Sequence, residues 1–248
     1  MTLDDVLGAV AGQVSYLRGS GSTNGEDWVA CDALVSDQAV LVDVVLATRD
    51  GFATDDDAVA ASLFAQAYAF RVAGVALAAY ALDLPVPALA PAVTAVRLDK
   101  PRPSAVAYLS PEVRRLDGAA LAAELVGGHL NEFVDATHRA FRVGERLLWG
   151  NVAASCATAF RAVESSGTDP TRVRDHAAAF VTAARPWFEG LGAFTVVQHA
   201  GQEGWYWDRT SCCLWFRTKS GQLCDNCSLV DGSELRRQRV HELAERAS

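Results

Sequence analysis

The chain has 248 residues, of which half are hydrophobic and 21% are charged, and its formal net charge is −8. This composition excludes a disordered chain and allows a sizeable core, in one large domain or two small ones. The acidic balance disfavours nucleic-acid binding, because an acidic surface repels phosphate backbones, and it favours neutral or cationic ligands unless a local patch overrides the average.

The N-terminal part of the sequence predicts three helices and one polar loop. The first helix is capped and spans residues 2–17, and residues 19–27 form a loop by composition. A second helix ends near Gly51, and a third, alanine-rich helix runs from Asp55 to about Leu82. The sequence starts with acidic residues where a secretory signal has basic ones, and its apolar runs fall short of the roughly 20 residues that a spanning helix needs. A cytoplasmic protein without a transmembrane segment is therefore expected.

Strand patterning follows over residues 92–110. After a proline-punctuated connection at 82–91, residues 92–99 and 104–110 read as two short strands. They should meet in a hairpin around Lys100, Arg102 and Pro103.

Helical patterning returns over residues 118–167, as one or two helices. Asp169 followed by Pro170 is a strong helix start and predicts a helix towards Phe188. Residues 191–230 are richer in glycine, aromatic residues and cysteine, and residues 233–247 resemble a short charged helix.

Four of the six cysteines, Cys212, Cys213, Cys224 and Cys227, lie in the segment CCLWFRTKSGQLCDNC. In a reducing compartment such clustering indicates metal binding more than disulfides. Adjacent residues of a regular strand point to opposite faces, so the two adjacent cysteines reach one site only if the backbone is irregular or the site is broad. The spacing favours a two-iron cluster over a single zinc ion, and it leaves a zinc site and a vicinal disulfide open.

The cysteine tail resembles the FhuF-type ferric-siderophore reductases, whose signature is a C-C-x10-C-x2-C pattern around an atypical 2Fe–2S cluster. Two further segments resemble the same family: LLWGNVAAS at 147–155 and VAASLFAQAYAFR at 59–71. The resemblance implies that each of the four clustered cysteines supplies one thiolate to the cluster. Cys31 and Cys156 have no place in this pattern, and we interpret them as buried small hydrophobic residues.

The resemblance also implies a function: one-electron reduction of ferric siderophores, which releases iron(II) in the cytoplasm. No nucleotide-binding fingerprint is visible, so we expect a separate electron donor, such as a ferredoxin or a small reductant. The acidic chain favours hydroxamate chelates over catecholates. A non-enzymatic 2Fe–2S sensor or electron shuttle, and a zinc-stabilised structural domain, remain alternatives.

Candidate substrate-binding residues flank the cysteines: Trp207, Arg209, Arg217 and Lys219. Aromatic side chains there could line a groove or simply exclude water from the metal. Asn151, in the LLWGN segment, is interpreted as satisfying a buried backbone group. His199 is a weaker candidate for a hydrogen bond to the cluster.

Together these features predict an α+β fold that is mainly helical, with a small strand element and a C-terminal iron–sulfur segment. The expected division is a helical domain over residues 1–190, with its hairpin near 92–110, and an iron–sulfur segment with a terminal helix over 191–248.

Overall fold

The structure is a computed structural model that describes residues 1–25, 27–99, 102–219 and 221–246. The fold is α+β and mainly helical, with several small sheets, as the sequence predicts. In the described ranges the α-helices are α1 (Leu3–Gln13), α2 (Cys31–Ser36), α3 (Gln38–Arg49), α4 (Asp57–Ala81), α5 (Gly118–Leu121), α6 (Asn131–Phe141), α7 (Glu145–Ser165), α8 (Pro170–Ala183), α9 (Arg185–Phe188) and α10 (Gly232–Arg246). The strands are β1 (Gly19–Ser20), β2 (Trp28–Ala30), β3 (Val86–Pro87), β4 (Thr94–Asp99), β5 (Arg102–Tyr108), β6 (Val113–Arg114), β7 (Gly192–His199) and β8 (Gln202–Arg209).

Helix α4 is the centre of the hydrophobic core and packs along α7. It begins two residues later than predicted, because Asp56 rather than Thr54 caps it: the Asp56 carboxylate accepts the backbone N–H groups of Ala58 and Val59. By length and composition alone α4 could cross a membrane, but 72% of its most apolar part is buried inside the protein. Burial on nearly all sides is typical of a central core helix.

The predicted capping box of α1 is present. Thr2 Oγ1 accepts the N–H of Asp5, and the Asp5 carboxylate accepts the N–H of Thr2. The helix ends at Gln13, before the predicted end at Leu17. The loop predicted over 19–27 contains the short strand β1, and Glu26 lies outside the described residues.

The predicted strand pair is confirmed as β4 and β5, which are antiparallel neighbours in a four-stranded sheet of order β1-β5-β4-β2. Lys100 and Pro101, where the hairpin turn was predicted, lie outside the described residues. The proline-rich connection contains a strand that the sequence analysis missed, β3, which pairs with β6. Both strands are two residues long, too short for a pattern of alternating burial to be visible.

Two long helical segments cover residues 118–167, the region predicted to be helical. The first runs from α5 through a stretch of π-helix, Ala122–Leu130, into α6, and the second is α7. Asp169 caps α8 as predicted. The chain continues to Phe188 as two helices rather than one, because Pro186 occupies the first turn of α9 and cannot donate the N–H that a continuous helix needs.

A β-hairpin, β7–β8, precedes the cysteines and was not predicted. Its aromatic residues enter the main core, where the Phe194 and Trp205 rings stack with centroids 3.8 Å apart. Leu243 of α10 packs with Val197 and Tyr206 of the hairpin. The predicted terminal helix is confirmed as α10, and its expected last residue, Ala247, lies outside the described residues. The division of the chain at residue 190 stays a prediction.

Candidate metal centre

The four clustered cysteines lie in the segment that joins β8 to α10, residues 210–231, here called the cysteine loop. The sulfur atoms of Cys213 and Cys224 are 3.9 Å apart and not bonded to each other. With metal–sulfur bonds of about 2.3 Å, two thiolates on one tetrahedral ion lie about 3.8 Å apart. Cys213 and Cys224 therefore have the separation of two ligands to the same ion.

The adjacent cysteines lie on an irregular backbone, which is one of the two alternatives that the sequence left open. Strand β8 ends at Arg209, and Leu214 adopts a left-handed conformation with φ of 67°. Its N–H donates to the sulfur of Cys212 at 3.3 Å. The other pair sits in a turn that is closed by a 2.9 Å hydrogen bond from the N–H of Cys227 to the carbonyl of Cys224.

The four clustered cysteines differ in solvent exposure. Cys213 and Cys227 are buried, whereas Cys212 and Cys224 are partly exposed. Within the described part of the chain, no group of three or more histidine, cysteine or carboxylate side chains converges tightly enough to hold a single metal ion. The donor set is four thiols in one loop, which suits a soft, thiolate-ligated metal group.

The Cys213 and Cys224 thiols are in contact, and the pKa values of the two groups are shifted in opposite directions. The hydrogen bond from Cys224, together with the N–H of Trp215 and the charge of Arg209, lowers the pKa of Cys213 to about 6. The same contact, reinforced by burial, raises the pKa of Cys224. Burial also raises the pKa of Cys212. Because the thiolate is the metal-binding form, the lowered pKa favours metal binding by Cys213.

A buried chain of hydrogen bonds fixes the cysteine loop to the two long helices. Ser62 Oγ, on α4, donates to the carbonyl oxygen of Cys213 at 2.8 Å. The amide of Asn151, on α7, donates to the Ser62 carbonyl at 3.0 Å and to Ser62 Oγ at 2.9 Å. Asn151 thus satisfies a backbone group, as predicted, and the two segments singled out in the sequence meet at the cysteine loop.

Arg209 completes this network from the end of β8. Its guanidinium donates to Asn151 Oδ1 at 2.6 Å and to the carbonyl of Ser211, and only 5% of the residue is exposed. No carboxylate of the described residues pairs with Arg209, although burying an unpaired cation is costly. Its charge acts on the thiols of Cys212, Cys213 and Cys224. A thiolate-bound, negatively charged group fits this position, because it would supply the missing counter-charge.

Gly150 and Ser211 are in contact beside the cysteines. A Cβ atom on Gly150 would lie 1.7 Å from Ser211 Oγ and 2.9 Å from Ser211 Cβ, so a larger residue at 150 would force Ser211 or the cysteine loop to shift. The Ser211 hydroxyl is buried and has no hydrogen-bond partner among the described residues. A free hydroxyl next to Cys212 is a suitable donor to a metal-bound sulfur.

We predict that Gly150→Ala displaces the cysteine loop and lowers the iron content of the purified protein. Overpacking of this kind costs typically about 1–3 kcal/mol of unfolding free energy. Iron per chain and denaturant unfolding measure both effects. Gly144→Ala is the matched control, because a Cβ there meets nothing within 4 Å. Equal iron content and stability in the two variants would show that the contact with Ser211 is dispensable.

The four predicted substrate-binding residues fall into two groups. Trp207 and Arg209 are buried, at 2% and 5% exposure. Arg217 and Lys219 are exposed and form ion pairs with Asp56 at 2.8 Å and Asp55 at 3.5 Å, just before α4. Their role in substrate binding stays a prediction.

His199 lies away from the cysteines. It pairs with Gln202 at the tip of the β7–β8 hairpin, whereas Arg209 pairs with Gly192 at the opposite end. Seven residue steps of strand, about 23 Å, separate His199 from the end that leads into the cysteine loop. This position does not support the minor alternative of the sequence analysis, a hydrogen bond from His199 to the cluster or the substrate.

Cys31 and Cys156 are buried, at 0% and 1% exposure, as interpreted from the sequence. Burial raises the pKa of Cys31 to about 11 and also raises that of Cys156. Both thiols are thus protonated at neutral pH and poor metal ligands.

A cavity of about 530 Å³ opens beside the cysteine loop, and the sequence analysis did not find it. We call it the α4 groove; it is bordered by Leu63, Phe70, Arg71, Arg102, Cys213 and Cys224. The sequence did contain an indication of the groove in the segment 59–71, where Leu63, Gln66 and Phe70 recur at helical spacing on one face. Nothing in that spacing indicated that the cysteines, about 150 residues later, complete the wall.

Comparison with known proteins agrees with the cysteine geometry. Residues 209–229 match the family described as FhuF 2Fe-2S C-terminal domain. The matched stretch begins at the buried Arg209 and contains all four clustered cysteines. The match confirms the resemblance of the tail and indicates a 2Fe–2S cluster as the cofactor. A search of curated proteins gave no match to the chain.

Proposed function

Since residues 209–229 are an FhuF-type 2Fe–2S segment, we propose that the protein is a ferric-siderophore reductase. It would transfer one electron to a ferric chelate and release iron(II) in the cytoplasm. One observation carries the proposal: Cys213 and Cys224, whose sulfurs are spaced as two ligands to one ion, border a cavity of about 530 Å³. A bound chelate would lie directly beside the redox centre.

The chemistry needs only one electron. Siderophores hold iron(III) with hard oxygen donors, and iron(II), with its lower charge density, binds such donors far less tightly. A 2Fe–2S cluster, when bound, supplies a one-electron redox centre whose potential depends on charge, hydrogen bonds to sulfur and solvent exposure. The protein therefore has to hold the sulfurs, set these three factors and admit the chelate.

The chain's own residues divide these tasks. Cys212, Cys213, Cys224 and Cys227 would supply one thiolate each. Ser62 and Asn151 hold the backbone of the cysteine loop. Arg209, in the interior, sets the local charge rather than contacting substrate.

The remaining predicted substrate residues would act at the surface. Arg217 and Lys219 are exposed on the cysteine loop, where they could attract a chelate or an electron donor. Trp207 packs in the core and would support β8. The net charge of −8 favours the approach of neutral hydroxamate chelates at long range, and a separate protein or small reductant would supply the electron.

The test combines a spectrum with a reaction. Protein purified without air should be red-brown, and its reduced form should give an electron paramagnetic resonance signal. Mixing the reduced protein with a ferric siderophore should reoxidise the cluster and yield one iron(II) per cluster, captured by a coloured chelator. A cluster that stays reduced with every siderophore class would instead favour a sensor or shuttle, and stoichiometric zinc without iron would favour a structural domain.

A further inference from the structure

We propose that the α4 groove is the chelate-binding site, and that Arg71 and Arg102 at its far end bind an anionic group of the ferric chelate. The inference rests on the proposed function for the identity of the ligand. The location of the groove and its charge come from residues that the cysteine pattern does not include.

The groove follows one face of α4. Leu63 packs near Trp215 of the cysteine loop, whereas Arg71 donates to the carbonyl of Pro103 in β5 at 3.3 Å. Eight residues of helix separate Leu63 from Arg71, a distance of about 12 Å. The volume lies within the range of small-molecule sites, about 300–1,000 Å³. A chelate of that size would reach the cysteines with one side and the arginines with the other.

The far end of the groove carries two cations, Arg71 and Arg102. Arg71 donates only to backbone carbonyls, those of Tyr16 and Pro103, and no carboxylate of the described residues pairs with it or with Arg102. Burial, and then the charge of Arg102, lowers the pKa of Arg71, so the two guanidinium groups repel each other. An anion between them would remove that repulsion and accept their N–H groups in a charge-assisted contact.

The rest of the lining suits the body of a chelate. Phe52, Phe70 and Trp215 supply apolar surface, and the buried Oε1 of Gln66 has no hydrogen-bond partner among the described residues, so a donor on the ligand could satisfy it. Asp225, which follows Cys224, is the acidic residue of the lining. Asp225 lies at the cysteine end of the α4 groove. Its carboxylate repels an anionic group of the ligand, which is therefore directed towards the arginines.

The preferred ligand is therefore a ferric chelate with exposed negative charge. The acidic chain as a whole repels anions, but repulsion from distant surface charges is screened beyond about 8 Å at physiological ionic strength. Inside the groove the adjacent arginines dominate. We infer that a tris-catecholate chelate, which is strongly anionic, binds more tightly than a neutral tris-hydroxamate chelate, which reverses the preference that the net charge alone suggests.

Gallium(III) chelates test binding without electron transfer, because gallium(III) is not reduced under these conditions. Holo protein is titrated with a gallium tris-catecholate and a gallium tris-hydroxamate siderophore, followed by calorimetry. The catecholate complex should bind more tightly, and Arg71→Gln/Arg102→Gln should weaken it by about tenfold per arginine, with little effect on the hydroxamate complex. Arg102 is exposed, so Arg102→Gln alone should fold normally. It should lower the logarithm of the catecholate affinity by half as much as the double variant does.

Arg139→Gln is the matched control, because Arg139 is an exposed arginine of α6 that does not border the groove. Unchanged catecholate affinity in the double variant would overturn the proposal. So would a loss of affinity in Arg217→Gln/Lys219→Gln alone, because the chelate would then bind at the outer face of the cysteine loop. If gallium chelates bind as expected but the iron complex yields no iron(II), the groove assignment holds and the reductase proposal fails.

Discussion

Cys213→Ser is expected to lower the iron and sulfide content of the purified protein by roughly an order of magnitude or more. Cys213 is the thiol with the lowered pKa, near 6, and its sulfur is 3.9 Å from that of Cys224. A serine oxygen is a harder and more basic ligand than a thiolate, so iron is held less tightly. Whatever cluster remains should have a shifted reduction potential. Iron and sulfide analysis under anaerobic conditions measures the first effect, and a redox titration the second.

Cys156→Ala provides the control for this experiment. Cys156 is almost fully buried in α7, and alanine adds no unpaired polar group there, unlike serine. Its iron content should equal that of the unmodified protein even if some stability is lost. Equal loss of iron from the two variants would contradict the assignment of Cys213 as a ligand.

Arg209→Gln is expected to make the reduction potential of the cluster more negative. Reduction adds one negative charge to the cysteine loop, and the buried guanidinium stabilises that charge. At an effective dielectric constant of about 20, two unit charges on the order of 8 Å apart interact by about 2 kcal/mol. This corresponds to roughly 90 mV for a one-electron couple. Potentiometric titration without air, followed by electron paramagnetic resonance, measures the shift.

Arg209→Lys separates the effect of charge from that of structure. Lysine keeps the positive charge but loses the paired donors that reach Asn151 and Ser211. A purely structural role for Arg209 would make both variants lose iron equally and leave the potential of the remaining cluster unchanged in each. We expect Arg209→Lys to keep a potential close to that of the unmodified protein.

Local signals in the sequence were sufficient for much of the fold. The capping residues of α1 and α8 and the alanine-rich pattern of α4 act within a few residues of each other, so they can be recognised without the tertiary structure. The β7–β8 hairpin was missed because its second strand buries consecutive aromatic residues, Trp205, Tyr206 and Trp207, and therefore lacks the alternation that indicates a half-buried strand.

The candidate site, like the fold, was predictable only where the interacting residues lie close together in the sequence. The cysteine spacing is local: it favoured a two-iron cluster over zinc, and its resemblance to a known family implied the cofactor. The environment of Arg209 is not local: Asn151 is 58 residues away in the chain, and Asn151 reaches Ser62 across 89 residues. The sequence therefore placed Arg209 near the cysteines but assigned it to substrate, whereas the structure places it in the interior.

The anchoring of the cysteine loop by Ser62 and Asn151 has a consequence for how the holoprotein matures. Both anchors stand on helices whose stability comes from apolar packing that iron does not contribute to. Small zinc modules, by contrast, fold only together with their ion. The apoprotein should thus keep its helical circular dichroism, so that delivery of iron and sulfide follows translation and folding. A chain that loses its metal to oxidation would then stay folded, so that its cluster could be rebuilt.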